Sequence, residues 1–400
     1  MKKITIRHFG PIDDSGELSI SPVTVFCGKQ GSGKSTIAKL VSTLSWLEKS
    51  LVRQDVKDKD ITNYKHFQNK YCSYQYLTNF FKSDTYIRYE GDAYSFIYDC
   101  GHIEIANQNI RDFVMPQIMY VPAERNFMTS IEHAEKIRKL PPALVTMQEE
   151  YINALNDKLL DKKLPIEDFA IQYDKLNKVT WLVGNGYKIR MYEAASGLQS
   201  AIPLILVTEY LSNKTNKEEQ HSLSAEERKK LQASVNRILE NDKLDDDLKN
   251  AAMESLNRNF HNDCFWNIVE EPEQNLYPSS QMAVLNVLLK ALNSRPHNGL
   301  IITTHSPYIL NYLSLAIKAA QVKTKAKVNE PILEKLDKII PLSSCADESK
   351  VSIYEIESDG NVRKLESYDG VPSDDNFLNA SLEESNNIFD KLMNLEDEAE

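Results

Sequence analysis

One octapeptide sets the architecture of this chain, and it is Gly28-Lys29-Gln30-Gly31-Ser32-Gly33-Lys34-Ser35. It fits the phosphate-binding pattern G-x-x-x-x-G-K-[ST] at every required position. A short apolar run, 23–27, precedes it, and apolar residues recur at helical spacing from Ile37 to Leu47 after it. This order of strand, glycine loop and helix is the context that the pattern requires. The alternative, a glycine turn without a ligand, fits these flanks poorly.

The spacing of the loop follows from what a phosphate group needs. Glycines let backbone N–H groups turn toward one anion without a side chain in the way, and the next helix directs its positive end there. Lys34 is expected to reach the outer phosphates of ATP, and the Ser35 hydroxyl to hold Mg²⁺. The residues predicted to contact the nucleotide here are Gly28, Gly31, Ser32, Gly33, Lys34, Ser35 and Thr36.

The composition is that of a globular protein, with 42% apolar and 26% charged residues. A net charge of −11 offers no case for nucleic-acid binding, although it does not exclude a local basic groove. No apolar run approaches the length of a membrane span, so no membrane contact is expected. The five scattered cysteines include no C-x-x-C pair, which argues against a zinc site and favours a cytoplasmic protein.

Further apolar runs end in polar clusters. These are 118–121 before Glu124-Arg125, 264–269 before Glu270-Glu271, and 300–304 before His305. In a mostly parallel sheet the carboxyl ends of the strands meet at one edge, where such folds place their ligands. The clusters are therefore expected to converge on the glycine loop.

The residue types in these clusters suit phosphate chemistry. Glu270 at a strand end can hold Mg²⁺ through its water shell, and the neighbouring carboxylate of Glu271 can orient a water molecule or accept its proton. His305 can donate a hydrogen bond to a γ-phosphate. The alternatives are an acidic pair at a solvated strand end and a histidine with only a structural role.

The predicted fold class is α/β, with a mixed, mostly parallel sheet carrying the glycine loop, an antiparallel β subdomain and short helical insertions. The head is assigned to residues 1–127, 179–211 and 261–400. Residues 128–178 are predicted to be a helical insertion, and 212–260 a charged helical hairpin that either is merely solvated or serves as a partner-docking arm. The tyrosines between Tyr86 and Ile105 are predicted to pack on a sheet face, with base stacking as the alternative.

Three more motifs complete a family resemblance: Ser196-Gly197-Leu198-Gln199, Glu270-Glu271-Pro272-Glu273 and Thr304-His305-Ser306-Pro307. With the glycine loop, this series resembles the ABC-type ATPases over nearly the whole chain. It is most similar to the soluble branch that includes RecF, SMC proteins, OLD-family nucleases and the ATPase subunits of phage-defence systems. The resemblance implies an ABC-ATPase head that hydrolyses ATP with Mg²⁺ at a subunit interface.

The resemblance also implies residue roles. Glu271, His305 and Lys34 are the expected catalytic residues, and Glu270 and Ser35 the expected metal ligands. Glu270 stands where this family usually has Asp. Ser196 and Gly197 match the signature motif, which would contact the nucleotide of the opposite subunit in a homodimer or higher homo-oligomer. Glu124-Arg125 occupies the Q-loop region, but the expected Gln is missing there.

The resemblance extends to a biological role. The sequence after His305 shows no convincing set of acidic nuclease ligands, so a separate effector protein, a nuclease, is expected. This arrangement resembles PARIS-type defence systems, and the Septu type is the next most similar. The alternative is a RecF-like DNA-binding repair ATPase. A transporter motor is disfavoured, because transporters of this superfamily usually carry an LSGGQ-like signature.

Overall fold

The computed structural model of the protein describes residues 2–132, 137, 139–157, 163–184, 186–216, 225–240, 248–249, 253 and 261–399. The strands are β1 (Lys2–Phe9), β2 (Ile12–Ile20), β3 (Val23–Gly28), β4 (Phe81–Glu90), β5 (Tyr94–Asp99), β6 (His102–Asn107), β7 (Pro116–Val121), β8 (Ala170–Asp174), β9 (Val179–Gly184), β10 (Tyr187–Arg190), β11 (Cys264–Glu270), β12 (Gly299–Thr304), β13 (Val351–Ile356), β14 (Val362–Lys364), β15 (Ser367–Tyr368) and β16 (Val371–Pro372). The helices are α1 (Lys34–Val52), α2 (Asp58–Thr62), α3 (Phe127–Ser130), α4 (Pro142–Asn156), α5 (Ser196–Asn216), α6 (Ala225–Leu239), α7 (Pro278–Leu292), α8 (Pro307–Ala326), α9 (Glu330–Ile339) and α10 (Phe377–Ala399).

The central sheet has six strands in the order β14-β13-β3-β12-β11-β7. The strands from β13 to β7 pair in parallel, and only β14 is antiparallel. The register aligns Cys27 with Thr304, and Glu270 with Thr303. The carboxyl ends of β3, β12 and β11 therefore lie side by side, as the sequence predicted.

Alternate residues of the central strands enter two different cores. Val25 and Ile302 pack with α5, α7 and α8, whereas Phe26 and Ile301 pack with α1 and the second sheet. Successive side chains of a strand point to opposite faces, and both faces of this sheet are buried. Because every position then lies in a core, these strands appear in the sequence as continuous apolar runs.

A second, antiparallel sheet has the order β2-β1-β4-β5-β6 and covers α1. The predicted β-meander forms its β4–β6 part. Tyr89 and Tyr98 are buried in the core beneath it, which confirms the packed-face interpretation for these two tyrosines. The predicted fold class, α/β with a mostly parallel central sheet and an antiparallel subdomain, is confirmed.

The prediction of helix up to residue 178 is wrong for its last part. Residues Ala170–Asp174 form β8, which pairs with β9 and aligns Ile171 with Leu182. Phe169 and Ile171 are buried, so the short run follows a two-residue rather than a helical period. The helix α4 lies within the predicted insertion and begins at Pro142, where a first-turn proline is well tolerated.

The charged insertion at 212–260 is described only in part. The helix α5 extends into it to Asn216, and α6 follows at 225–239. The segments 217–224, 241–247, 250–252 and 254–260 lie outside the described residues, so the hairpin stays a prediction. Within the described part of the chain, no helix is both long and apolar enough to cross a membrane.

Candidate functional site

The glycine loop is shaped by close contacts as well as by backbone conformation. Gly28 and Gly33 have φ angles of 144° and 113°, which L side chains rarely adopt. A Cβ on Gly28 would lie 2.5 Å from the carbonyl oxygen of Ile356, and one on Gly33 would lie 2.4 Å from Cδ1 of Ile12. The loop therefore lies between β13 and β2. A side chain on Gly28 would displace the backbone of β13, and one on Gly33 would displace the Ile12 side chain.

The polar groups of the loop suit a phosphate ligand. Lys34 is buried, and its Nζ donates hydrogen bonds to the carbonyl oxygens of Gly28 at 3.0 Å and Lys29 at 2.7 Å. The buried Ser32 Oγ has no hydrogen-bond partner within the described structure. The N–H groups in the first turn of α1, including those of Ser35 and Thr36, have no partner within the helix. A bound anion would satisfy these donors, so the residues present fit the triphosphate.

The carboxylate of Glu270, at the end of β11, is held by two hydrogen bonds and lies near one cation. It is buried and accepts hydrogen bonds from the Tyr120 hydroxyl and, at 3.2 Å, from the backbone N–H of Ala123. The Nζ of Lys39 lies 3.8 Å from its Oε1. Burial raises the pKa of Tyr120 well above its usual range, so this hydroxyl keeps its proton and acts as a donor. Tyr120 lay in the predicted strand, but no sequence pattern indicated this contact.

Glu271 and His305 follow two neighbouring strands of the central sheet, and their side chains are in contact. Oε1 of Glu271 lies 3.3 Å from Nε2 of His305. The hydrogen bond from His305 lowers the pKa of Glu271 below its usual value, against the opposing effect of burial. Glu271 also has a φ of 43°, an uncommon conformation for a residue with a side chain, and its N–H donates to Thr303 O at 2.8 Å. The result is an ionised carboxylate fixed at the sheet edge.

A third carboxylate, Glu273, supports the histidine. Its Oε1 accepts hydrogen bonds from the Thr304 hydroxyl at 2.8 Å and from the His305 backbone N–H at 2.7 Å. Its Oε2 is buried without a partner in the described structure, and burial raises the pKa of this carboxyl. The sequence included Glu273 in a motif without assigning it a role, and the structure makes it the anchor of the His305 loop.

The sheet edge brings these charges together around Lys34. Burial lowers the pKa of Lys34 to about 8, and the carboxylates of Glu271, Glu273 and Glu270 oppose that fall. The expected convergence of the strand-end clusters on the glycine loop is therefore what the structure shows. Glu124 is the exception, because its side chain is exposed.

Arg125 is the residue whose importance the sequence did not reveal. It is fully buried and donates to the carbonyl oxygens of Glu270 and Glu271, each at 2.6 Å, and to that of Ser200 at 3.1 Å. Burial lowers its pKa to about 10, so it stays charged at neutral pH. Arg125 thus joins the end of β11 to α5. Only its position after an apolar strand could have signalled this.

The residues that match the signature motif lie at the start of α5. Ser196 is exposed, and Gly197 is buried against the turn that follows Glu271. A Cβ on Gly197 would lie 2.4 Å from Asn275 O, and the Ser200 hydroxyl donates to Gln274 at 2.9 Å. Within the described structure, no hydrogen bond joins Ser196 or Gly197 to the glycine loop of the same chain. Their role at the nucleotide of another subunit stays a prediction.

Comparisons with known proteins give structural likenesses at low identity. No protein-family model and no curated protein matches the sequence. An SMC head domain from Thermotoga maritima has a TM-score of 0.34 and 11% identity, covering 91% of this chain and 98% of that chain. The recombination mediator protein RecF has a TM-score of 0.31 and 12% identity, covering 91% and 97%. A dimeric bacterial ABC transporter cassette has a TM-score of 0.26 and 10% identity, covering 91% and 100%.

Proposed function

We propose that this chain is an ABC-type ATPase that binds ATP on its glycine loop and hydrolyses it with Glu271 as the general base. The observation that carries the proposal is the set of charges at one sheet edge. There the buried Lys34 ammonium lies in the field of three carboxylates, one of which is paired with His305. A glycine loop, a lysine, a metal-binding carboxylate and an ionised base are the parts that phosphoryl transfer to water requires.

Nucleotide binding would use groups that the loop already presents. Lys34 would exchange its two carbonyl acceptors for phosphate oxygens, which are better partners because they are charged. The Ser32 hydroxyl would gain the partner that it lacks. Ser35 and Glu270 would hold Mg²⁺, which when bound neutralises phosphate charge. Tyr120 and Ala123 orient the Glu270 carboxylate for this purpose.

Hydrolysis then depends on the ionised carboxylate of Glu271. A water molecule attacks the γ-phosphorus, the bond to the β–γ bridging oxygen breaks, and ADP leaves with that electron pair. Glu271 orients the water and accepts its proton, which a carboxylate of lowered pKa can do at neutral pH. His305 keeps this carboxylate in place, and Glu273 keeps His305 in place.

We further propose that the nucleotide lies between two copies of the chain. Ser196 is exposed, and α5 is tied through Arg125 to the residues that surround the γ-phosphate. Ser196 and Gly197 of one copy would therefore contact the phosphate on the loop of the other. Hydrolysis would reach α5 through the same contacts and loosen the dimer.

The role in phage defence rests on the sequence resemblance alone. We propose that the ATP-bound dimer or higher assembly controls a separate effector, a nuclease. Cells carrying the intact system should resist phage, and a Lys34→Ala variant should restore plaque formation. Tight, salt-sensitive and ATP-dependent duplex binding by the purified protein would instead favour the RecF-like role.

The assignment is tested by replacing Lys34. Lys34→Ala removes the buried cation and two hydrogen-bond donors, so ATP affinity should fall by about 100-fold or more, as measured by calorimetry. Lys290→Ala, at an exposed position at the end of α7, is the matched control and should bind ATP as the unmodified protein does. Unchanged affinity in Lys34→Ala would defeat the proposal.

A further inference from the structure

A cavity of about 350 Å³ lies between α4, the sheet β8–β10 and the segment around α3. Cavities that hold small ligands measure about 300–1,000 Å³, so this one is at the lower end of that range. On α4 it is lined by Gln148, Tyr151, Ile152 and Leu155, whose spacing places them on one helical face. None of the described residues that line it belongs to the glycine loop or to the charged ends of β11 and β12. The cavity is therefore a concave site apart from the proposed nucleotide site.

The sheet supplies a second wall through its inner face. Tyr173 of β8 and Thr180 of β9 are register partners, and both line the cavity. They lie two residues from the buried pair Ile171 and Leu182, so they share the face that is turned toward the core. Met191, which follows β10, is buried and also lines the cavity. The two walls thus present aromatic and apolar side chains to the same space.

One buried donor in the cavity wall lacks a good acceptor. Tyr151 is 5% exposed, and its hydroxyl makes no well-formed hydrogen bond within the described structure, although the Thr180 side chain lies near it. Burial raises the pKa of Tyr151, so its hydroxyl keeps the proton at neutral pH. A buried donor without an acceptor costs free energy, which an oxygen atom of a ligand would recover. The wall therefore favours a ligand that carries an acceptor oxygen.

The charges at the cavity favour an anion. Lys175 and Lys178 lie between β8 and β9, line the cavity and are exposed. The Nζ of Lys175 donates to the carbonyl oxygen of Asn156 at 3.0 Å, and within the described residues neither lysine has a carboxylate at ion-pair distance. Glu132, the acidic residue of the lining, is paired with Arg190 at 3.1 Å. An excess of positive charge therefore remains between β8 and β9, in a chain whose net charge is −11.

The third wall contacts the segment 196–199 that matches the signature motif, which we call the signature segment. Thr129 and Tyr192 both line the cavity. The Thr129 hydroxyl donates to the carbonyl oxygen of Gln199 at 2.7 Å, and the Gln199 side-chain amide donates to the carbonyl oxygen of Tyr192 at 2.9 Å. Gln199 lies in the first turn of α5, three residues after Ser196. A ligand that changes the distance between Thr129 and Tyr192 would therefore displace the start of α5.

We propose that this cavity binds a small organic anion with an aromatic ring, and that the bound ligand acts on the signature segment. The ring lies between Ile152 and Tyr173, which belong to different walls. The anionic group accepts a hydrogen bond from Tyr151 and is attracted by Lys175 and Lys178. The binding site is independent of the proposed function, whereas its effect on ATP hydrolysis rests on that function.

Binding is tested with anilinonaphthalene sulfonate, a fluorescent aromatic anion, on the Lys34→Ala chain so that the glycine loop takes no part. One molecule per chain should bind saturably. Lys175→Glu with Lys178→Glu should raise the dissociation constant about tenfold or more, because the anion then meets like charges. Phenylnaphthylamine, the same dye without its sulfonate, should bind equally to the chains with and without these two changes.

Two control variants accompany the lysine pair, and circular dichroism verifies that each is folded. Lys335→Glu with Lys338→Glu, an exposed basic pair on α9, makes the same change of charge elsewhere and should leave sulfonate binding unaltered. Ile152→Trp fills the cavity and should abolish binding of the dye. Because the lysine pair is exposed, its result stands even where Ile152→Trp does not fold. A dye that does not bind saturably, or that binds equally to the chains with and without the lysine changes, would overturn the proposal.

Competition identifies the source of the ligand. Adenosine monophosphate and indole acetate each combine a ring with an anion, one as a phosphate and the other as a carboxylate. Displacement of the dye by either compound supports the site and assigns its ligand to that group of compounds. Displacement by neither would contradict the proposed ligand class.

Phosphate release by the chain with Lys34 intact measures the effect on ATP hydrolysis. The displacing compound should change turnover about fivefold or more, and Lys175→Glu with Lys178→Glu should remove that response without altering basal turnover. A chain that binds the dye in the cavity but hydrolyses no ATP defeats the proposed function and leaves the site intact. A chain that hydrolyses ATP equally fast with and without the compound defeats the link to the signature segment.

Discussion

Lys34 shows what the site demands of a single residue. Its ammonium is buried beneath the glycine loop, where it is held by two carbonyl oxygens. Burial lowers its pKa to about 8, and Glu271 opposes the fall. Near pH 8 the lysine of the nucleotide-free protein is therefore close to half protonated, whereas phosphate groups would favour the charged form.

ATP affinity should depend on pH through this group. Below pH 8 the lysine already carries its proton, so the ATP affinity does not change with pH. Above pH 8 binding must take up a proton, and affinity falls by up to about tenfold for each further pH unit. Calorimetry in two buffers of different ionisation enthalpy would report the proton uptake. Lys34→Arg stays charged over this pH range, so its ATP affinity should not depend on pH in this way. An ATP affinity of the unmodified protein that stays constant up to pH 9 would contradict the prediction.

The sequence could predict which residues meet at the site but not their supporting contacts. Lys34, Glu271 and His305 were predictable because each sits at a fixed offset from an apolar strand. The left-handed backbone of Glu271 and the hold of Glu273 on His305 depend on how β11 and β12 align. Such contacts between distant segments leave no local pattern.

At the scale of elements, Arg125 connects three parts of the fold. It follows β7, and its guanidinium contacts the end of β11 and the backbone of α5. Its hydrogen-bond acceptors are neutral carbonyl groups, and the nearby charges of Glu273, Glu271 and Glu270 also stabilise the buried cation. The residue was predictable as a polar cluster at a strand end, whereas its burial follows from tertiary packing.

Arg125→Lys should destabilise the protein although it keeps the charge. An ammonium cannot reproduce the planar set of donors, so carbonyl groups of Glu270 and Glu271 would be left unpaired in the interior. The expected loss is about 3 kcal/mol of unfolding free energy, or a fall in Tm of about 4 °C by calorimetry. Arg111→Lys, at an exposed position, should leave Tm unchanged. An equal Tm for Arg125→Lys would show that the network is dispensable.

The strand β8 could not be predicted from the sequence, unlike the strands of the central sheet. Long apolar runs predicted the central strands because both of their faces are buried. β8 has only five residues and follows a segment with helical spacing. Such a short strand does not give a recognisable two-residue alternation in the sequence. Its pairing with β9 decides its conformation.

For the whole molecule, the described site lies entirely outside the charged insertion. Among the described residues, the hydrogen-bond and ion-pair partners of Lys34, Glu270, Glu271 and His305 lie before 212 or after 260. The insertion follows α5, whose N-terminal end carries Ser196. That the insertion serves as a partner-docking arm stays a prediction.

Replacing residues 214–258 by a short flexible linker should leave ATP hydrolysis within about twofold of the full chain, because the general base and the loop are untouched. Phosphate release and circular dichroism on the same sample would measure rate and folding together. A folded deletion variant without ATPase activity would contradict this division and place part of the catalytic machinery in the insertion.

The measurement that tests the central claim most directly is phosphate release by Glu271→Gln. The amide keeps the shape of the side chain but cannot accept the proton of the attacking water. ATP should bind with an affinity like that of the unmodified protein, and turnover should fall by about 100-fold or more. Full turnover in a Glu271→Gln protein that binds ATP normally would show that the general base lies elsewhere.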